Sequence, residues 1–215
     1  MMSHDSGVWQ HRLAIPEIVA GIGMLHPRTA YAATIALGTL YVVFSLACIP
    51  GIVAAPASYV QYGNFFEQFS VVCGALSAFA SRVARAVARL GLGLCAASFA
   101  TAQAVYFHFT ASLVPAWIPE SPSFWVMLTT IAFAMAAIAL LVNVQAPLAM
   151  RLMSLMIALF GVMVWIPQIA ARPAVLGNWS EFAESFLIAA AAWTLANRTR
   201  SLGPLSMYSQ ARRRA

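Results

Sequence analysis

Ionisable side chains are scarce in this chain, so each one inside an apolar stretch needs a reason. Of 215 residues, 62% are hydrophobic and 8% charged. His108 lies in a long apolar run, and a membrane-embedded ionisable group marks a functional position by default. An imidazole there can change its protonation near neutral pH. Equally, it can hydrogen-bond a neighbour or water near a helix end, and both readings stand. Gln103, Tyr106 and Thr110 share one helical face of the same stretch, while Thr101 and His108 share another. Such a stripe suits hydrogen bonding between helices. Glu184 follows Glu181 by about one turn and sits beside Ser185, deeper than a cap requires. It reads as a buried functional acid, whereas Glu67 and Glu181 read as acids near helix N-termini.

Cys48, Cys73 and Cys95 stand singly, with no CxxC pair and no Cys/His cluster. No metal site is expected from that spacing, and each cysteine reads as a small buried hydrophobe. Haem ligation by paired histidines lacks a second histidine within an apolar run. Tyr59, Tyr62, Tyr106, His108, Trp117, Trp125, Trp165 and Trp179 gather with Glu67, Glu181 and Glu184 toward one interface. They make either an aromatic belt or a pocket for a lipophilic, partly polar ligand such as a quinone. The ligand-binding candidates are His108, Tyr106, Gln103, Trp117, Glu184, Glu67 and Glu181; no catalytic set emerges.

The elements that position these residues follow from hydropathy. A soluble domain carries roughly a quarter charged residues, and the mean hydropathy of +0.81 leaves too few to clothe one. About 20 apolar residues cross a bilayer core of ~30 Å. Runs near 30–52, 65–80, 90–114, 124–144, 147–169 and 182–195 give six spans in an all-α polytopic membrane helix bundle. The start, MMSHDSGVWQHR, lacks a signal-peptide apolar region and reads as part of a cytoplasmic segment 1–29 with an interfacial helix over 15–24.

All twelve basic residues are arginine, at the ends of apolar runs instead of along one stripe. That pattern excludes nucleic acid as a partner and sets orientation. With both termini cytoplasmic in the cell membrane, eleven of the twelve arginines fall inside and only Arg172 falls outside. Arg82, Arg85 and Arg89 share a helical face and read as an interfacial turn touching lipid phosphates.

Two stretches repeat. Ile49-Pro50-Gly51-Ile52-Val53-Ala54-Ala55-Pro56 and Ile166-Pro167-Gln168-Ile169-Ala170-Ala171-Arg172-Pro173 fit I-P-x-I-x-A-x-P. Gly63-Asn64 to Glu67 and Gly177-Asn178 to Glu181 follow them. Spans one and five run the same way, so this is a parallel repeat of helix pairs 1–2 and 5–6, unlike an inverted one. Asparagine is expected to cap the next helix, with glutamate closing a capping box.

Tyr106-Phe107-His108-Phe109-Thr110, then Val114-Pro115-Ala116-Trp117-Ile118-Pro119, resembles the DoxX family of small membrane proteins. Phe124-Trp125 with Leu128-Thr129-Thr130, the Ile166-Pro167 turn and Trp179-Ser180-Glu181-Phe182 extend the resemblance. It implies a four-helix unit over 88–198, preceded here by a helix pair over 30–82 and followed by a basic tail, 199–215. The family is named after a membrane subunit associated with thiosulfate:quinone oxidoreductase. The resemblance thus implies a redox-associated subunit that interacts with quinone; with no cofactor motif of its own, the chain would work with a redox partner protein. The alternative is a non-enzymatic protein that binds or moves a small lipophilic solute or supports complex assembly. Whether the chain is an enzyme stays open.

Overall fold

A computed structural model of the chain describes residues 17–79 and 81–200, with Arg200 as backbone only. The leader 1–16 and the tail beyond Arg200 lie outside the described residues, as does Ala80, the expected end of the second span. All regular structure among the described residues is helical: α1 (17–25), α2 (Ala30–Ala47), α3 (Ile49–Ala54), α4 (Val60–Leu76) and α5 (Arg82–Val105). There follow α6 (Phe107–Ser112), α7 (Pro122–Leu141), α8 (Ala146–Phe160), a π-helical turn (Gly161–Trp165), α9 (Ile166–Ala171) and α10 (Leu176–Arg200). Helix starts carry their sequence marks. The Ser81 hydroxyl accepts from the amides of Val83 and Ala84 at 3.2 and 3.4 Å, and that of Ser121 from Phe124 at 3.2 Å. Each satisfies amides that a helix N-terminus leaves free. Between α7 and α8 the chain reverses through Asn143 and Gln145, both left-handed at φ 59° and 52°.

Four helical segments are long and apolar enough to cross a bilayer: Ala30–Ala54, Arg82–Val105, Pro122–Leu141 and Ala146–Ala171. The other two expected spans fall short for different physical reasons. α4 has 17 residues, about 26 Å at 1.5 Å per residue. α10 has 25 residues but carries Asn178, Glu181, Glu184, Asn197 and Arg198.

Several boundaries differ from the hydropathy reading. α4 starts at Val60 and α5 at Arg82, both before their apolar runs, and α5 breaks at Tyr106 (φ −104°, ψ 36°). The capping-box expectation is corrected: Asn64 and Glu67 lie inside α4, whose N-cap is Tyr59 with no side-chain cap bond. Asn178 also lies within its helix, and its amide donates to the Gln168 carbonyl on α9 at 3.1 Å. α1 has a protein neighbour as well. A Cβ on Gly23 would stand 3.0 Å from that of Ala33, and Glu17 lies near Tyr41. Position 23 thus meets 33 while 17 meets 41, so α1 runs antiparallel along α2.

Packing forms a closed ring in which α4 touches α5, α5 touches α7, α7 touches α8, α8 touches α10 and α10 returns to α4. α2 packs outside the ring on α4, with no Cα within 8 Å of one in α10. At the α4–α10 crossing a Cβ on Gly74 would fall 2.4 Å from the Ala191 Cβ, so backbones approach as small residues permit. The Arg89 guanidinium donates to the Leu140 carbonyl at the end of α7, where a cation meets unpaired carbonyls. This gives one member of the arginine face a protein partner.

The two repeated stretches also share a conformation. α3 ends at Ala55 with φ −139° and ψ 67°, and α9 ends at Arg172 with φ −141° and ψ 69°. In each, proline enters within the first two positions and the terminal amide donates four residues back, to Gly51 or Gln168.

Candidate functional site

α2 and α10 both flank α4 with no Cα of one within 8 Å of a Cα of the other, and a gap lies between them. It is a cleft of about 420 Å³, floored by Asn64, Glu67 and Gln68 of α4. Ser180, Glu181, Ala183, Glu184 and Leu187 of α10 form one wall, and Tyr41, Phe44 and Ala47 of α2, with Cys48 just beyond, form the other. α1 adds Glu17. Four of the six acidic side chains in the whole chain therefore line one cleft, and none of its lining residues is arginine, lysine or histidine. Carboxyl groups gathered this closely share a demand for a counter-charge or a proton.

The carboxylates are held differently. Gln68 Nε2 donates to Glu184 Oε1 at 2.7 Å, joining α4 to α10 beneath the cleft. Ser185, one position on, turns its hydroxyl back to the Glu181 carbonyl at 2.8 Å and stays out of the network. The Tyr41 side chain is 4% exposed and lines the cleft together with Glu17. Glu67 and Glu184 are half-buried and Glu181 is exposed at the mouth. Among the described residues no three His, Cys, Asp or Glu side chains sit close enough to hold a metal ion.

The ligand-binding candidates divide into two places. Glu67, Glu181 and Glu184 come together in the cleft. Gln103, Tyr106, His108 and Trp117 do not line it. His108 is exposed on α6 with its ring edge-on to Phe107, 5.9 Å between centroids, and Trp117 is exposed on the following loop. Gln103 bridges α5 to α7: its side-chain oxygen accepts from both Thr129 and Thr130 hydroxyls at 3.0 Å. These are interhelical bonds, worth about 0.6–2 kcal/mol in a bilayer. The double variant Thr129→Val/Thr130→Val is expected to lower the midpoint of unfolding in detergent by a corresponding amount. An unchanged midpoint would show that Gln103 carries no weight between α5 and α7.

Glu17, Tyr41 and Gln68 escaped the residue-by-residue reading, and Cys48, expected as a small buried hydrophobe, is half-buried beside the cleft. Glu17 sits in a segment that reads as interfacial, and Gln68 shows nothing until α10 is folded beside it. Four of the belt aromatics have specific partners. The indoles of Trp125 and Trp179 donate to the carbonyls of Pro119 and Pro173, each six residues back, at 2.7 and 3.0 Å, fastening the starts of α7 and α10. Tyr59 donates to Ser98 Oγ at 2.9 Å and stacks on Tyr62.

No family model, curated protein or solved structure matches this chain.

Proposed function

We propose that this is a six-span membrane protein, without chemistry of its own, that binds a lipophilic solute bearing hydrogen-bond donors or a positive charge in the cleft between α2 and α10. The gathering of four carboxylates with no basic residue among the lining carries this reading. A carboxylate in its ionised form accepts hydrogen bonds and cannot donate them, and a donor-bearing or cationic solute favours that form. Tyr41 and Phe44 supply aromatic surface for its apolar part, and for a cation if one is present.

The same packing supports reading six spans. α4 lies against both α2 and α5, and α10 against α8 and α4, and both are joined to their neighbours by short links. A chain that crosses in Ala30–Ala54 and again in Arg82–Val105 returns through α4 between them. The two least lipid-compatible helices are then the two that turn polar side chains to one another and to the cleft. The orientation with eleven arginines inside places the cleft toward the outer leaflet in a multi-pass protein of the cell membrane. The matching ends of α3 and α9 support a duplication of the helix pairs, with Glu67 and Glu181 as equivalent positions.

The resemblance to the DoxX family, carried by the Val114-to-Pro119 element and its flanks, leaves a second reading that one observation favours. A quinol presents two hydroxyl donors to these carboxylates, whereas a quinone presents only acceptors. In that reading the protein is a redox-associated component that holds quinol for a partner protein carrying the electron-transfer centre. Calorimetric titration of the full chain in mild detergent with decylamine, a decyl-substituted hydroquinone and decanoate separates these. Saturable binding of amine without decanoate binding is expected, and hydroquinone binding above that of its quinone would favour the second reading. Equal response to all of them, or response to none, would sink the cleft as a binding site.

A further inference from the structure

The two ends of the bundle differ in charge. Four of the six acidic side chains line the cleft, and Glu120 stands just before α7, at the same end. At the other end, where α4 finishes and α5 begins, Arg82, Arg85 and Arg89 follow one another along one face of α5. These arginines divide by depth. Arg89 lies about 10 Å along the helix from Arg82, and its guanidinium is taken up by the Leu140 and Leu141 carbonyls at the end of α7. The shielded Nε atoms of Arg85 and Arg151 have no partner among the described residues. Arg151 is otherwise engaged: it donates to Asn197 Oδ1 at 2.9 Å and lies over the Trp193 ring, 5.6 Å from its centroid. Arg85 is not. It is half-buried, and neither it nor Arg82 makes a hydrogen bond or ion pair among the described residues.

We propose that Arg82 and Arg85 bind the phosphate of an anionic phospholipid in the leaflet at that end of the bundle, with an acyl chain laid along α5. The counter-charge must come from outside the protein. Beyond the acids at the cleft end the sequence holds only Asp5, and the tail 201–215 adds Arg212, Arg213 and Arg214 with no acidic side chain. Depth is right for a headgroup. α5 has 24 residues, about 36 Å at 1.5 Å per residue, so its first turn passes the edge of a ~30 Å core. Two guanidinium forks match the oxygens of a phosphate, which a point charge does not. On the neighbouring face Val83, Val87, Leu90 and Leu94 recur at helical spacing and are 41–72% exposed. That stripe runs about 16 Å, roughly the depth of one leaflet. A free phosphate has no use for it, whereas an acyl chain does. Headgroups that carry choline or ethanolamine bring their own cation, so a phosphate without one leaves its charge to the arginines. The face expected to touch lipid phosphates thus splits: Arg89 fastens α5 to α7, and Arg82 with Arg85 receives the lipid.

Native mass spectrometry of the full chain in mild detergent tests the site with dioleoylphosphatidylglycerol, dioleoylphosphatidylcholine and glycerol 3-phosphate. The phosphatidylglycerol is expected to bind about tenfold or more tightly than the phosphatidylcholine, and higher ionic strength should shrink that preference. Glycerol 3-phosphate should not bind at matched concentrations. In Arg82→Gln/Arg85→Gln the preference is expected to vanish, while Arg172→Gln, altered at the end of α9, should keep it. Equal binding of the two lipids by the unaltered protein would overturn the site without any variant. A preference that survives in the double variant would also overturn it, by placing the lipid elsewhere. Glycerol 3-phosphate binding as tightly as the lipid would overturn the lipid as occupant in favour of a free phosphate ester. Should the double variant not fold, Arg85→Lys decides, because it keeps the charge and loses the planar fork. A several-fold loss of phosphatidylglycerol affinity is expected there, and an unchanged affinity would remove Arg85 from the site.

Discussion

Glu184→Ala is expected to weaken decylamine binding by about thirtyfold or more. Removing one partner of a buried, hydrogen-bonded charge pair costs about 2–5 kcal/mol, and Glu184 is the cleft acid best placed to form one. It is half-buried, and Gln68 fixes one of its oxygens at 2.7 Å, which leaves the other free to meet a donor. Gln68→Ala removes a neutral donor and leaves the carboxylate in place. Its effect is expected to be about two- to tenfold, from the 0.5–1.5 kcal/mol of an ordinary hydrogen bond. Glu181, exposed at the mouth, should matter less than Glu67 or Glu184. His108→Ala is the discriminating control, because that side chain lies on α6 and does not line the cleft. Should His108→Ala abolish binding while Glu184→Ala leaves it intact, the site lies at the α6 end of the bundle and the cleft is not where the solute sits.

The apolar character of the helices was legible from composition, because hydropathy is a local property of the chain. So were the start of the first apolar run at Ala30 and the breaks near Pro50 and Pro167, where a missing amide hydrogen marks the spot. α4 and α10 were harder. Their polar residues lower the hydropathy that defines a span, so the expected runs 65–80 and 182–195 omit their polar first turns. The helices of the structure include them, because Asn64, Glu67, Asn178 and Glu181 find protein or cleft surroundings there. Hydropathy cannot tell a polar residue that ends a helix from one that faces a groove between two helices.

The candidate site shows the same division. Glu184 stood out because its depth exceeds what a cap needs. Glu17 did not, since a lone acid before IVAGIGML looks interfacial until the chain reverses at 26–29 and lays it beside Tyr41. Gln68 and Glu184 are 116 positions apart, and no periodicity within either helix announces their meeting. His108 attracted attention by residue type alone, and type does not reveal that α5 breaks at Tyr106 and turns the imidazole outward.

Gly74→Leu is expected to reduce stability and cleft binding together, because one crossing sets both. The Cβ that any other residue would carry falls 2.4 Å from the Ala191 Cβ and 2.8 Å from its Cα. Since the obstruction includes backbone, no rotamer of Ala191 relieves it, and α4 and α10 must separate. Overpacking of this kind costs about 1–3 kcal/mol. Where helices associate without a hydrophobic driving force, close contact between small residues is much of what holds them. Separation would also stretch the Gln68–Glu184 hydrogen bond that spans the same two helices, so decylamine affinity should fall although neither cleft residue is altered. Gly63→Leu provides the comparison: it lies on α4 as well, but its added Cβ would meet nothing within 4 Å, so stability should hold. Gly74→Ala is the milder test, and Ala191→Gly in the same chain removes the Cβ that it strikes and should recover part of the loss. If Gly74→Leu unfolds at the same midpoint as the unaltered protein and binds decylamine equally well, α4 and α10 do not cross at Gly74, and the cleft they frame loses its floor.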